Sequence, residues 1–149
     1  MASPSWKSRP LTQGEIEMSK LVLTDKIDFH RVRLMREKAY FFQPRNTTMA
    51  PDGNIWFHPD SELINGPFAD DFSQAPLPVR AHLIHELTHV MQFQQGVDLL
   101  LEKLLMFFRY GPYGGYQYSP GQAFESYNIE QQACIMEDHF RDRFSQSLG

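Results

Sequence analysis

The chain has a single cysteine, Cys134, among its 149 residues. No internal disulfide can form, so the fold does not depend on an oxidising compartment. It also lacks any apolar run near the ~20 residues that a membrane-spanning helix needs. The longest such stretch, residues 97–108, is interrupted by Asp98, Glu102 and Lys103. Basic blocks are missing too, and the net charge of −4 gives no footprint for nucleic acid or an anionic membrane surface. The first ten residues contain no hydrophobic segment, which predicts synthesis in a cytoplasm without a secretory signal peptide. Repeats and dividing linkers are absent. The expectation is therefore a flexible leader over residues 1–10 and one domain over residues 11–149.

Aromatic residues, by contrast, are plentiful: twelve Phe and six Tyr suit a packed core and an aromatic-lined cleft. The most informative stretch is residues 79–95. At 100° per residue, Val79, Leu83, Ile84, Leu87, Val90 and Met91 fall on one broad stripe, the pattern of a helix packed on a core. His85 and His89 lie four residues apart, so they stack on one face, opposite the stripe. Two imidazoles one turn apart can reach a single Zn²⁺ at about 2.0–2.1 Å. Glu86 follows the first of them, where its carboxylate can lie beside a water on the metal and act as general base. Gly96 suits the left-handed residue that closes such a helix.

Upstream, Thr12 and Glu15 have capping-box spacing and predict a short helix over 13–19. Strands are predicted at 20–24, 31–35, 38–43 and 54–58, with loops at 44–54 and 59–78. Downstream, residues 97–109 read as a helix buried on most sides. Residues 110–118 form a Gly- and Tyr-rich loop, and a last helix spans about 121–144. Strands first and helices afterwards predict an α+β domain: a small N-terminal sheet packed on a metal-binding helix and a C-terminal ligand helix.

Catalytic zinc sites usually have three protein ligands and an open position. On the last helix, Ile129, Ala133, Met136, Phe140 and Phe144 form the core stripe, with Glu130, Cys134 and Glu137 along its flank. Glu130 is the preferred third ligand, because small Ala133 would let the metal helix approach. Spacing alone leaves Glu137, Asp98 and His139 open. Glu137 and His82 are further candidates to support the site from behind the ligands. Cys134 could compete for the metal but fits better as a small buried hydrophobe. His30 and His58 have no partner in this reading.

The motif His85-Glu86-Leu87-Thr88-His89 resembles that of zincin metallopeptidases, and a glutamate on a later helix resembles the third ligand of their gluzincin branch. The segments Phe42-Gln43-Pro44-Arg45, Pro51-Asp52-Gly53-Asn54 and Tyr127-Asn128-Ile129-Glu130 narrow the likeness. They are similar to the Vgr-related zincin-like domains, which occur alone or fused to spike proteins of bacterial type VI secretion systems. The resemblance covers roughly residues 11–144. It implies a zincin-like fold, Zn²⁺ held by His85, His89 and Glu130, and a metallopeptidase toxin made in a bacterial cytoplasm and exported into a target cell. It further implies a peptide or protein substrate, a spike partner and an immunity protein.

Amide hydrolysis of this kind uses a further donor to the developing oxyanion. The loop at 110–118 offers Tyr110, Tyr113, Tyr116 and Tyr118, with Tyr116 and Tyr118 foremost. The rival expectation is a non-catalytic zinc-binding adaptor that docks on the secretion spike. Glu86 weighs against it, since a structural site needs no base.

Overall fold

The computed structural model describes residues 6–112 and 114–146. The first element, β1 (Ser8–Pro10), lies inside the stretch expected to be a leader. Arg9 accounts for the difference. Its guanidinium grips both oxygens of the fully buried Glu15, at 2.9 and 2.8 Å, and donates to the Ala69 carbonyl at 3.1 Å. A strand anchored by a buried cation leaves no apolar signature.

Helix α1 (Gln13–Leu23) starts with the expected capping box: Thr12 accepts from the Glu15 amide, and the Glu15 carboxylate accepts from the Thr12 amide. It continues through residues 20–23, which were expected as a strand. Val22 and Leu23 extend the buried face of Ile16 and Met18, so a helix buries them as well as a strand would. Short apolar runs do not separate the two by periodicity.

Three more strands follow: β2 (Arg33–Arg36), β3 (Thr48–Met49) and β4 (Ile55–Phe57). The sheet order is β1-β2-β4-β3. β2 and β4 run parallel, with Leu34 opposite Ile55, and both edge pairs are antiparallel. The expected strand at 38–43 is a turn instead. Buried Gln43 holds it, accepting from the Ala39 amide at 2.8 Å and donating to the carbonyls of Thr47 and Trp56. Phe41 and Phe42 are left facing solvent. β3 falls in the segment expected as loop; two residues are too short for a period to show.

Helix α2 (Leu77–Gln94) carries the motif. Proline stands in its first turn, where no helical hydrogen bond is lost. Its C-terminus closes as the sequence predicts: Gly96 takes φ +90° and donates to the Phe93 carbonyl, and the Val97 amide donates to Gln92. Leu83, Ile84, Leu87, Val90 and Met91 are buried in one core with Leu34, Ile55 and Phe57 of the sheet and Phe140. The side opposite this stripe is covered too, mainly by α4 (Ile129–Gln146). His89 is therefore buried rather than surface-facing.

Helix α4 begins later than expected, after a 3-10 turn at Phe124–Ser126. Asn128 and Gln131 cap it reciprocally: the Gln131 amide donates to the Asn128 side chain at 2.8 Å, and the Asn128 amide donates to Gln131 at 3.0 Å. Helix α3 (Leu99–Tyr110), capped by Asp98, departs most from expectation. It is exposed along most of its length, with Leu100 at 67% and Phe108 at 75% of full exposure. An apolar sequence shows what a helix could bury, not whether a neighbour covers it.

Candidate metal centre

The α4 cap places Glu130 in the first turn of its helix, buried against α2. Its two oxygens meet the two motif histidines. Glu130 Oε2 lies 3.2 Å from His85 Nε2, and Glu130 Oε1 lies 3.2 Å from His89 Nε2. One donor atom from each of the three residues falls within 4.8 Å of the others. Ligands at about 2.0–2.1 Å from a tetrahedral ion stand roughly 3.3 Å apart, close to these separations. His89 Nε2 and Glu130 Oε1 are fully buried yet make no hydrogen bond. Unpaired buried polar atoms are costly, and a cation between them would satisfy both. These three residues could hold a metal ion.

The far nitrogen of each imidazole is also engaged. His85 Nδ1 lies 3.0 Å from Glu137 Oε1, and Glu137 is itself tied to Arg141 at 3.0 Å. His89 Nδ1 lies 2.9 Å from the amide oxygen of Gln92. An acceptor at Nδ1 keeps a proton there, so Nε2 is the nitrogen that a metal would take on displacing its proton.

The electrostatics fit a site built for positive charge. Burial alone would push the His85 imidazole down, but hydrogen bonding to Cys134, Glu130 and Glu137 pushes it up to about 12. Burial likewise opposes ionisation of Glu130. A hydrogen bond from His85, with the charge of His89 and of Lys103, nevertheless holds it well below the usual carboxylate range. Glu137 is lowered in the same way by His85 and Arg141, against its own burial.

Glu86 is 6% exposed and lines a cleft of about 690 Å³ together with His85, His89 and Glu130. His82, one turn earlier, lies 3.9 Å from Glu86 Oε1, and its Nε2 is 2.9 Å from the Thr48 hydroxyl on β3. Tyr40, Phe42 and Met49 form an apolar wall on the sheet side, and Leu99 and Leu100 form one on the α3 side. Tyr116 lines this cleft as well.

Tyr118 does not line it. Its hydroxyl donates to Asp138 Oδ2 at 2.6 Å, in a separate depression that it shares with His139. Tyr113 lies outside the described residues. Of the alternative ligands, Asp98 is a helix cap and His139 is on the surface; neither joins the cluster. Sequence reasoning did not find Gln92 or Lys103. Gln92 follows His89 at i+3 and is 1% exposed, so a polar residue on an otherwise apolar flank was its signal. Lys103, on α3, reaches Glu130 Oε1 at 3.3 Å, and nothing local announces it.

No family model matches the sequence. The chain is 38% identical over 138 residues to the type VI secretion system spike protein VgrG2b of Pseudomonas aeruginosa, covering 91% of this chain but only 13% of that protein. The solved effector domain of Pseudomonas aeruginosa VgrG2b superposes with a TM-score of 0.75 at 38% identity, over 89% of this chain and 73% of that one. With that identity sustained over most of both chains, this protein belongs to the family of the VgrG2b effector domain.

Proposed function

We propose that the chain is a zincin-like, zinc-dependent metallopeptidase acting as an effector of a bacterial type VI secretion system. The observation that carries this reading is the convergence of His85, His89 and Glu130 on one point, with Glu86 lining the same cleft. A zinc ion there would lower the pKa of water to about 7 and polarise a carbonyl. Glu86 accepts the proton from the attacking water and returns it to the leaving amine. His82, linked to Thr48 and near Glu86, limits where that carboxylate can point. Tyr116, which lines the cleft, serves as donor to the developing oxyanion in this reading.

The kinship supports the biological setting: synthesis in the cytoplasm, delivery with a spike protein into a target cell, a peptide or protein substrate, and an immunity protein in the producer. The test is elemental analysis of the wild type, His89→Ala and Glu130→Ala, with the fold followed by circular dichroism. About one zinc per chain, lost in both variants while the fold persists, supports the ligand set. Glu86→Gln then separates enzyme from adaptor. Zinc kept with toxicity and hydrolysis abolished supports the peptidase, whereas unchanged toxicity supports a docking role.

A further inference from the structure

We propose that Lys103 is the electrophile of the cleft, its ammonium offsetting the negative charge that develops on the scissile carbonyl oxygen. This rests on the hydrolase reading above and adds a catalytic residue to it.

Lys103 is the one cation lining the cleft among the described residues, apart from the histidines themselves. It comes from α3, so it approaches from a different element than the base on α2 or the ligand on α4. Its Nζ lies 3.3 Å from Glu130 Oε1, the same oxygen that faces His89 Nε2. The ammonium therefore lies beside the carboxylate that would hold the metal. α3 is mostly apolar and mostly exposed, with Glu102 and Arg109 as its other charged residues, and the Lys103 side chain itself is 52% exposed. Its ammonium turns to a carboxylate that is 3% exposed. Both Glu130 oxygens also meet imidazoles, so Lys103 shares this carboxylate rather than pairing with it exclusively. An ammonium has three N–H donors, so donors remain for a second acceptor. Tyr116 borders the same cleft, which gives that acceptor two neighbouring donors.

The charge balance is simple. As water adds to the carbonyl carbon, the π pair moves onto oxygen, and Glu86 takes one water proton. Lys103 faces the new negative charge and remains protonated. When the oxygen lone pair re-forms the carbonyl, the C–N bond breaks and the amine leaves with the proton from Glu86. A charged donor held beside the developing oxyanion acts on the transition state more than on the ground state.

The alternative for a cation here is an anchor for a substrate's terminal carboxylate. One experiment separates the roles. The probes are an apolar phosphinic dipeptide, whose anionic tetrahedral group mimics the transition state, in C-terminal acid and amide forms. Calorimetry measures their binding to the zinc-loaded chain, to Lys103→Met, Lys103→Gln and Lys103→Arg, with zinc content and circular dichroism recorded for each. We expect Met and Gln to weaken both forms by about 10²-fold with zinc content unchanged, and Arg to recover most of the loss. A loss confined to the acid form overturns the electrophile and makes Lys103 an anchor. Equal binding by wild type and variants overturns any role in the reaction. Loss of zinc in Lys103→Met and Lys103→Gln reduces the residue to structural support. A wild type that binds zinc but neither probe overturns the hydrolase reading, and this one with it.

Discussion

His89 Nδ1 and Gln92 Oε1 are 2.9 Å apart, one turn along α2, and the other end of the same amide donates to the Ile129 carbonyl at 3.0 Å and to Gln132 at 2.9 Å. Gln92 thus fixes the His89 tautomer and also ties α2 to the start of α4, where Glu130 stands. Gln92→Leu removes the acceptor for His89 Nδ1 and takes the amide donor away from the Ile129 carbonyl and the Gln132 side-chain oxygen. Zinc affinity, measured by chelator competition, should fall about 10–100-fold. Stability should fall by about 1–3 kcal/mol for the unpaired groups. Affinity unchanged alongside the stability loss would leave Gln92 as a helix tie only.

The helix spacing, the orientation of both motif histidines to one side and the C-terminal glycine turn were legible in residues 79–96. A period of 3.6 acts over 18 residues there, and local geometry decides the outcome. Glu130 was legible only as one choice among several, because its partnership with α2 is set by packing 45 residues away. Its cap was in the sequence all along: Asn128 and Gln131 have capping-box spacing. Lys103 and Arg9 were not legible. Each is a cation turned inward by a carboxylate on another element, and no pattern of neighbours marks such a residue. The turn at Gln43 hid for a similar reason. Tyr40, Phe41 and Phe42 have high strand propensity, but three hydrogen bonds from one buried amide override it.

Metal removal should destabilise the fold. Zinc that binds only the native state adds stability by mass action, about 2.7 kcal/mol at a hundredfold excess over Kd. Chelation should therefore lower Tm, and added zinc should restore it. His89→Ala should abolish the response to zinc. A Tm indifferent to both chelator and zinc would speak against a site at His85, His89 and Glu130.

The first strand is predicted to be essential to stability although it lies close to the N-terminus. Arg9 and Glu15 form a buried two-pronged pair, and Glu15 also accepts from the amides of Thr12 and Phe72. Breaking one side leaves the other charge buried alone, at a cost of about 3–5 kcal/mol. Arg9→Met should show this loss in urea unfolding, and removal of residues 1–10 should show at least as much. A truncation as stable as the wild type would contradict the contacts of β1.

Asp71 gives a pH dependence of known sign. Burial would raise its carboxyl, but hydrogen bonds from Ser73 and Thr12, with the charge of Arg9, hold it below the ordinary value of 3.8. A folded-state pKa below the unfolded one adds stability that is present above about pH 4 and is lost as pH falls through the folded value. Asp71→Asn should therefore be less stable than wild type at pH 7. The gap should close as pH falls below 4, read as the difference in urea midpoints across a pH series. A gap that stays constant with pH would mean that the Asp71 charge contributes nothing.

The two tyrosines of the loop before α4 should separate in kinetics. Tyr118 is committed to Asp138 at 2.6 Å, a bond that pushes its hydroxyl up to about 12, and it faces away from the cleft. Tyr116 lines the cleft beside Glu130 and Lys103. Once a peptide substrate is in hand, Tyr116→Phe should lower kcat by about 10²-fold with little change in KM, the pattern of a donor used only in the transition state. Tyr118→Phe should leave both constants near wild type. The reverse ranking would mean that the loop reorganises around substrate, bringing Tyr118 into the cleft and releasing Asp138. The two single substitutions, measured side by side, distinguish a preformed oxyanion site from one assembled on binding.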